Sequence, residues 1–459
     1  MLGHLLQPEI SEFLERRDLS GLREALARWE SPEIADLVGG LPVEQRGLVF
    51  RILPRALAAE TFEHLEPEAQ IELVDTLAQD DLIRLLDDMA PDDRTALFEE
   101  LPPAVSRVLL EQLSSKERRV AAWLLGYPED SIGRLMTPEY IRVKQDWTIE
   151  RVLEHIRRHG QDRETLNVVY VVDDTGRLID DLRIREILLA RLDAEIEDLC
   201  DHHYVALKAT DDQETAIEVF REYDRVALPV TDSEGFLIGI VTVDDVLDVA
   251  EEEATEDIHK IGGSEALDEP YLVMPVLGLI RKRASWLVLL FLGELLTASA
   301  LARFEIDLAR AVVLALFIPL IISSGGNSGS QATTFVIRAM ALGEIELRDW
   351  WKVLSRELRS GLALGVLLGT LGFLRVWLWS GIFGLYGEHA FLIGATVGLS
   401  LAGVVLVGTT AGSMLPFLMR RIGADPAAAS APFVATLVDV AGILLYFTLA
   451  SILLAGTLL

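Results

Sequence analysis

Cysteine is nearly absent: Cys200 is the one thiol in 459 residues, so no intrachain disulfide can form, and there is no CxxC or Cys/His cluster to hold zinc. Also missing are a P-loop, a nucleophile–base constellation and the metal-ligand spacing of a hydrolase, so the chain is not expected to be an enzyme. A reducing, cytoplasmic setting fits the thiol count. The opening stretch MLGHLLQPEISEFLERRD has too short an apolar run and too much charge to read as a secretory signal. Basic residues are scarce in one region only. The chain holds 72 acidic and 41 basic residues, but residues 284–459 contain 10 of each, so the whole net charge of −31 belongs to the first 283. So acidic a soluble half repels nucleic acid and anionic lipid headgroups and concentrates cations. A metal ion is its expected ligand, and nucleic acid is excluded as a partner.

Long apolar runs fill the other end. Segments of about 20 apolar residues, enough to cross a bilayer, fall at roughly 284–302, 308–326, 361–381, 390–418 and 432–457. Arg281, Lys282 and Arg283, then Arg338, Arg348, Lys352, Arg356 and Arg359, then Arg420 and Arg421 fall on one side of these five spans, with Arg303 and Arg310 on the other. The positive-inside rule places the acidic half in the cytoplasm and the C-terminus outside a plasma or inner membrane, with lipid around the spans.

Polar residues inside those spans are the first candidates for function. Asp439, in PFVATLVDVAGILL, reads as a pore group, because an ionised carboxylate in hydrocarbon is costly unless it faces water, a cation or a partner. The alternative is a structural aspartate bonded to a neighbouring helix. Glu294 lies 11 residues beyond Arg283, about 16 Å along a helix and too deep to reach the surface easily. Its options are a hydrogen bond across helices, a proton, or a place on the ion path. Pro319 and the run Ser324-Gly325-Gly326-Asn327-Ser328-Gly329 predict a loosened helix whose carbonyls reach a lumen lined by Asn327. Close helix packing through small residues is the competing reading.

The soluble half contains a repeat. Leu41-Pro42, Leu53-Pro54, Leu65-Glu66-Pro67, Leu77, Met89-Ala90-Pro91, Leu101-Pro102 and Leu113 recur every 12 residues, which predicts a compact right-angled stack of short helices, each started by proline at its first helical turn. From about Met136 the pattern changes to two β-α-β-β-α units. These resemble a tandem pair of cystathionine-β-synthase (CBS) domains, most clearly in the second copy, where Gly239-Ile240-Val241-Thr242-Val243-Asp244-Asp245 follows that family's G-h-h-[TS]-x-x-D ending. The first copy has Leu182-Arg183-Ile184-Arg185-Glu186 instead. The CBS resemblance implies a nucleotide site, with ATP as a modulator, at Thr242 and Asp245; a plain helix cap explains the same two residues.

In order, an acidic helical repeat, a CBS pair, a charged connecting helix and five spans resemble the MgtE family of magnesium channels. GYPEDSIGRLMTPEYI, VTVDDVLDVAEEEATEDIHKIGG, FIPLIISSGGNSGSQATTFVIRAMALGEIELRDW and LPFLMRRIGADPAAASAPFVATLVDVAG carry the likeness. The expected fold is therefore multi-domain: an all-α superhelical N domain over 1–133, an α+β tandem CBS pair over 134–198 and 199–256, a connecting helix over 257–283, and an α-helical transmembrane domain over 284–459. The likeness implies a homodimer with Asp439 in the pore, and Ala431 where some members place an asparagine at the cytoplasmic mouth. It also implies Mg2+-sensing carboxylates at Asp92, Asp212, Glu214, Asp224, Asp245, Asp248, Glu253 and Glu256. Asp87, Asp88 and Asp93 surround Asp92, while Ala96 stands where a second sensing aspartate would be.

The expected activity is Mg2+ uptake through a channel. A small, tightly hydrated cation suits carboxylate and carbonyl oxygens, and Asp439 from two chains on a symmetry axis would face one ion. Asp245, Asp248, Glu252 and Glu256 form one carboxylate face of a helix, so bridging by Mg2+ would favour a compact, closed state and ion loss a splayed, open one. A solvated helix surface is the bland reading of that face. An exchanger of Mg2+ for H+ or Na+ is the alternative activity.

Overall fold

The computed structural model describes Ile10, Phe13, Arg16 and residues 18–161, 163–267, 271–272 and 274–458. The first residues of the N domain therefore lie outside the described residues, as do 268–270 and 273 of the connecting segment. The chain divides into two compact units, Met1–Glu251 and Glu252–Leu459.

The first unit opens with α1 (Leu19–Leu26) and α2 (Ser31–Gly39), then α3 (Val43–Ile52), α4 (Arg55–Glu63), α5 (Pro67–Thr76), α6 (Gln79–Asp88), α7 (Pro91–Glu100), α8 (Pro103–Gln112) and α9 (Ser115–Leu124). From α3 onward each helix starts 12 residues after the last, as the repeat predicts. Pro91 and Pro103 occupy the first helical turn, where a missing N–H costs nothing. The expected first-turn proline is not general: Pro42 and Pro54 stand one residue before their helices in extended conformation, as Pro102 does before Pro103, and α6 and α9 start at Gln79 and Ser115. The apolar column closes each unit: Leu53, Met89, Leu101 and Leu113 cap the preceding helices in extended conformation and drop into one core with Leu41 and Leu65. Arg94, fully buried in α7, donates to Glu117 at 2.7 Å and to the Leu86 carbonyl at 3.0 Å, tying α7 to α9.

After the short α10 (Ile132–Leu135) come the two βαββα copies. The first is β1 (Arg142–Lys144), α11 (Ile149–His159), β2 (Val168–Val172), β3 (Leu178–Arg183) and α12 (Ile184–Leu189). The second is β4 (Leu207–Lys208), α13 (Gln213–Tyr223), β5 (Ala227–Thr231), β6 (Leu237–Thr242) and α14 (Val243–Ile261). In each sheet the central strand pairs in parallel with the first and antiparallel with the third. Their central strands are buried throughout, and the two sheets share a core of Val168, Tyr170, Val172, Leu178, Leu237 and Ile240.

Among the described residues, the second unit holds five helices long and apolar enough to cross a membrane: α15 (Val276–Ala302), α17 (Ile318–Ala341), α18 (Trp350–Phe383), α19 (Ala390–Arg421) and α20 (Ala431–Leu453), with the short α16 (Glu305–Arg310) after the first. Two expectations are corrected. The connecting segment is not one helix, because α14 stops at Ile261, where Gly262 and Gly263 follow and Gly263 takes φ +74°, a helix-ending conformation that favours glycine. The second span is displaced from 308–326 to Ile318–Ala341, and Pro319 sits in its first turn rather than inside it.

Nor does the glycine run loosen that helix. Residues 324–329 stay helical, and a Cβ on Gly408 of α19 would lie 2.4 Å from the Gly325 carbonyl oxygen. The small residues let the two backbones touch, and the competing reading is the one that holds here. Thr333 completes the seam, donating to the carbonyls of Gly329 at 3.0 Å and Gly412 at 2.9 Å.

Candidate functional site

Two groups of acidic residues stand out, one in each unit. In the first unit Asp92, in the first turn of α7, is 7% exposed, and its Oδ1 has no hydrogen-bond partner among the described residues. Burial, then the charges of Asp245 and Asp93, hold its pKa well above the carboxylate range. Asp93 beside it is pushed up to about 8 by burial and by Glu63 and Asp245. Glu164, in the segment between α11 and β2, reaches about 7 through burial and the charges of Asp245 and Asp244. Asp245 is raised to about 6 by burial, against a lowering hydrogen bond from Thr242. The helical domain and both CBS copies thus contribute to one crowded corner.

Local structure explains each position. Glu63, at the end of α4, accepts from the Ala90 N–H at 2.9 Å and so fixes the start of α7, which carries Asp92 and Asp93. Thr242 Oγ1 donates to Asp245 Oδ2 at 2.6 Å, locking the first turn of α14. The helix-cap role is thus filled, and both groups sit at the acidic corner. Asp248 follows one turn later, its pKa raised by partial burial and then by Asp244. The other acids of this stretch of the N domain do structural work, since Asp87 accepts from the Ser114 N–H at 2.9 Å and Asp88 pairs with Arg55. Ala96 is exposed.

The remaining sensing candidates lie elsewhere. Asp212 caps α13, accepting from the Glu214 N–H at 2.9 Å, and Asp224 ends the same helix in left-handed conformation. Those two ends are about 18 Å apart at 1.5 Å per residue, so Asp212 and Asp224 of one chain cannot share an ion. Glu253 and Glu256 belong to the second unit, where Glu256 pairs with Lys260 at 2.5 Å. Among the described residues no three carboxylate, imidazole or thiol groups converge as a metal cage.

Within the second unit, Asp439 is half-buried on α20, and its carboxyl lies beside that of Glu294 on α15. The helices come close there because Gly293 has no side chain, and a Cβ on it would lie 2.6 Å from Thr436 Cγ2. Gly326 of α17 flanks the pair, with the place of its missing Cβ 3.8 Å from Asp439 Oδ1. Asn327 is exposed next to it and reaches Ser323 Oγ at 3.4 Å. Gly325 and Gly329 face away from this line, into contacts with Val404, Val438, Val434 and Gly408. Ala431 begins α20, and its carbonyl accepts from Ser330 Oγ at 3.1 Å, about 12 Å along the helix from Asp439.

Sequence reasoning missed Glu164, a lone acid in a polar turn with no motif around it. It also left Asp93 unused, although its place beside Asp92 was a signal.

Residues 318–449 match the family MgtE, described as divalent cation transporter; residues 29–130 match the MgtE intracellular N domain, and residues 132–193 and 196–252 the CBS domain. The chain is 39% identical over 452 residues to the magnesium transporter MgtE of Thermus thermophilus, covering 98% of each. To the magnesium transporter MgtE of Enterococcus faecalis it is 32% identical over 332 residues, covering 72% of this chain and 70% of that one. Its fold is similar to the crystal structure of the cytosolic domain of the Mg2+ channel MgtE in complex with ATP, with a TM-score of 0.51 and 37% identity over 53% of this chain and all of that one. With its N domain, CBS pair and five apolar helices in that order, the chain belongs to the MgtE family of divalent cation transporters, as a multi-pass membrane protein and not an enzyme.

Proposed function

We propose that the chain is a Mg2+-selective uptake channel that its own cytoplasmic carboxylates close when Mg2+ is abundant. One observation carries the regulatory part: Glu63, Asp92, Asp93, Glu164, Asp244 and Asp245, from three modules, act on one another, and the groups acting most strongly on Asp92, Asp93 and Glu164 include no lysine or arginine. Crowded, partly buried like charges are unfavourable unless protonated or bridged by a cation. Mg2+ supplies that bridge when abundant, and its loss leaves repulsion that drives the modules apart. Moving such an equilibrium from mostly open to mostly closed takes about 5.5 kcal/mol of differential binding. Several weak ions acting together reach that more readily than one strong ion, so closure is steep.

For conduction, Asp439 offers the counter-charge midway across, Glu294 adds a second carboxyl beside it, and Asn327 lines the approach. Two chains meeting on a symmetry axis would double this set, with Ala431 at the cytoplasmic mouth and lipid around the outside. The N-terminus lies in the cytoplasm and the C-terminus outside, as the basic connections require. Glu253, Asp212, Glu214 and Asp224 act as further Mg2+-sensing positions, while Glu256 is held by Lys260. ATP is a modulator bound by the CBS pair rather than a requirement, because Thr242 and Asp245 already satisfy each other. A second reading, exchange of Mg2+ for H+ or Na+, draws support from the Glu294–Asp439 carboxyl contact, which is suited to carrying a proton.

The test is Mg2+ flux into proteoliposomes holding the native chain, Asp439→Ala, or a chain lacking residues 1–251. The reading expects flux that stops with Asp439→Ala and loses its response to cytoplasmic Mg2+ on truncation. Flux that tracks a proton or sodium gradient supports the exchanger instead.

A further inference from the structure

Among the described residues of the second unit, Lys260 is an ammonium set among acids. Lys260 Nζ, near the end of α14, lies 2.5 Å from Glu256 Oε1 and 2.6 Å from Asp425 Oδ2, and its side chain is only 27% exposed. Asp425 belongs to the connection between α19 and α20 and is itself held in place, accepting from the Ala427 N–H at 2.8 Å. One turn beyond Lys260, the backbone at Gly263 presses on the start of α20. A Cβ there would lie 3.2 Å from Pro432 Cγ and 3.6 Å from Ser430 Oγ, and the φ of +74° also favours glycine. Ser430 caps α20, accepting from the Phe433 N–H at 3.4 Å, and α20 is the helix of Asp439. Asp257 shares this corner, its pKa raised to about 6 by burial and then by the charge of Asp425, with Lys260 opposing. A bridging ammonium, partly shielded from water, does here what a divalent ion would otherwise have to do.

We propose that Lys260 is a built-in cationic latch that holds the end of α14 on the Asp425 connection and so keeps the entrance to the pore helix engaged without Mg2+. The contact stands on the geometry alone; its consequence for closure rests on the gating reading above. Mg2+ bound elsewhere then adds to a tether already in place, and less of it is needed to close the pore.

The test uses the full chain, native, Lys260→Met and Lys260→Arg, with two readouts. Hydrogen exchange over residues 253–263 in chelator should be faster in Lys260→Met and near native in Lys260→Arg. In proteoliposomes the cytoplasmic Mg2+ that halves the flux should rise about fivefold in Lys260→Met, the size of a modest coupling, and stay near native in Lys260→Arg. Equal exchange in Lys260→Met and the native chain in chelator would overturn the tether. Faster exchange with an unmoved half-closing concentration would overturn its role in closure. A native flux that ignores cytoplasmic Mg2+ would sink the gating reading and the latch's part in it, and the exchange readout would then decide the tether separately.

Discussion

The carboxyl groups of Glu294 and Asp439 meet across α15 and α20, at the level where Gly293 lets Thr436 pack against the α15 backbone. Two carboxylates so close within a membrane span repel, and a cation between them relieves that repulsion. Glu294→Gln keeps the shape while removing one charge. It should lower Mg2+ flux at limiting ion by about tenfold, equivalent to about 1.4 kcal/mol, whereas Asp439→Ala should reduce it to background. Ion-flux titration of both variants checks this.

At the acidic corner, Asp92→Asn removes a buried carboxylate whose Oδ1 is unpartnered. In chelator the variant should be more stable than the native chain, by about 1–3 kcal/mol, because the cost of burying that carboxyl, or of protonating it to do so, is gone. In excess Mg2+ that advantage should disappear, and more cytoplasmic Mg2+ should be needed to close the pore. Thermal unfolding with and without Mg2+, beside flux, reads both effects.

The same corner sets a pH dependence. Asp93, Glu164 and Asp245 bind protons more tightly in the fold, at about 8, 7 and 6, than the ordinary carboxylate range near 4. Between pH 4 and 8 the folded chain therefore holds more protons than the unfolded chain, so stability in chelator should fall as pH rises through that window. Mg2+ should flatten the slope by replacing the protons. Melting temperature in chelator against pH, from pH 5.5 to 8, is the measurement; a rise toward pH 8 would contradict the account.

The glycine seam gives a prediction on packing. A Cβ on Gly412 would lie 2.2 Å from the Gly329 carbonyl oxygen, while one on Gly381 meets nothing within 4 Å. Gly412→Ala should destabilise the membrane unit by about 1–3 kcal/mol through forced separation of α17 and α19, and Gly381→Ala should leave it near native. Melting of the detergent-solubilised variants separates the two.

These residues also mark how far the sequence can be read. The 12-residue column of Leu53, Met89, Leu101 and Leu113 and the five apolar runs are legible because one local period or length decides them. Asp439 and Asp92 are legible as costly residues in apolar or family context. The run Gly325-Gly326-Asn327 is ambiguous on composition, since a loosened helix and a tight seam both demand small side chains; only Gly408 and Gly412 opposite settle the geometry. Glu164 beside Asp245, and Lys260 beside Asp425, join residues far apart in the chain, and no local pattern encodes such meetings. The break after Ile261 was readable in Gly262 and Gly263, but the surrounding charge pattern favours a longer helix.

The most direct test of the central claim is Mg2+ flux through the native chain in proteoliposomes as Mg2+ on the cytoplasmic face is raised, with no proton or sodium gradient. The account predicts steep, multi-ion loss of flux, relieved by Asp92→Asn combined with Asp245→Asn. Flux that does not change with cytoplasmic Mg2+, or that requires a proton gradient, would contradict it.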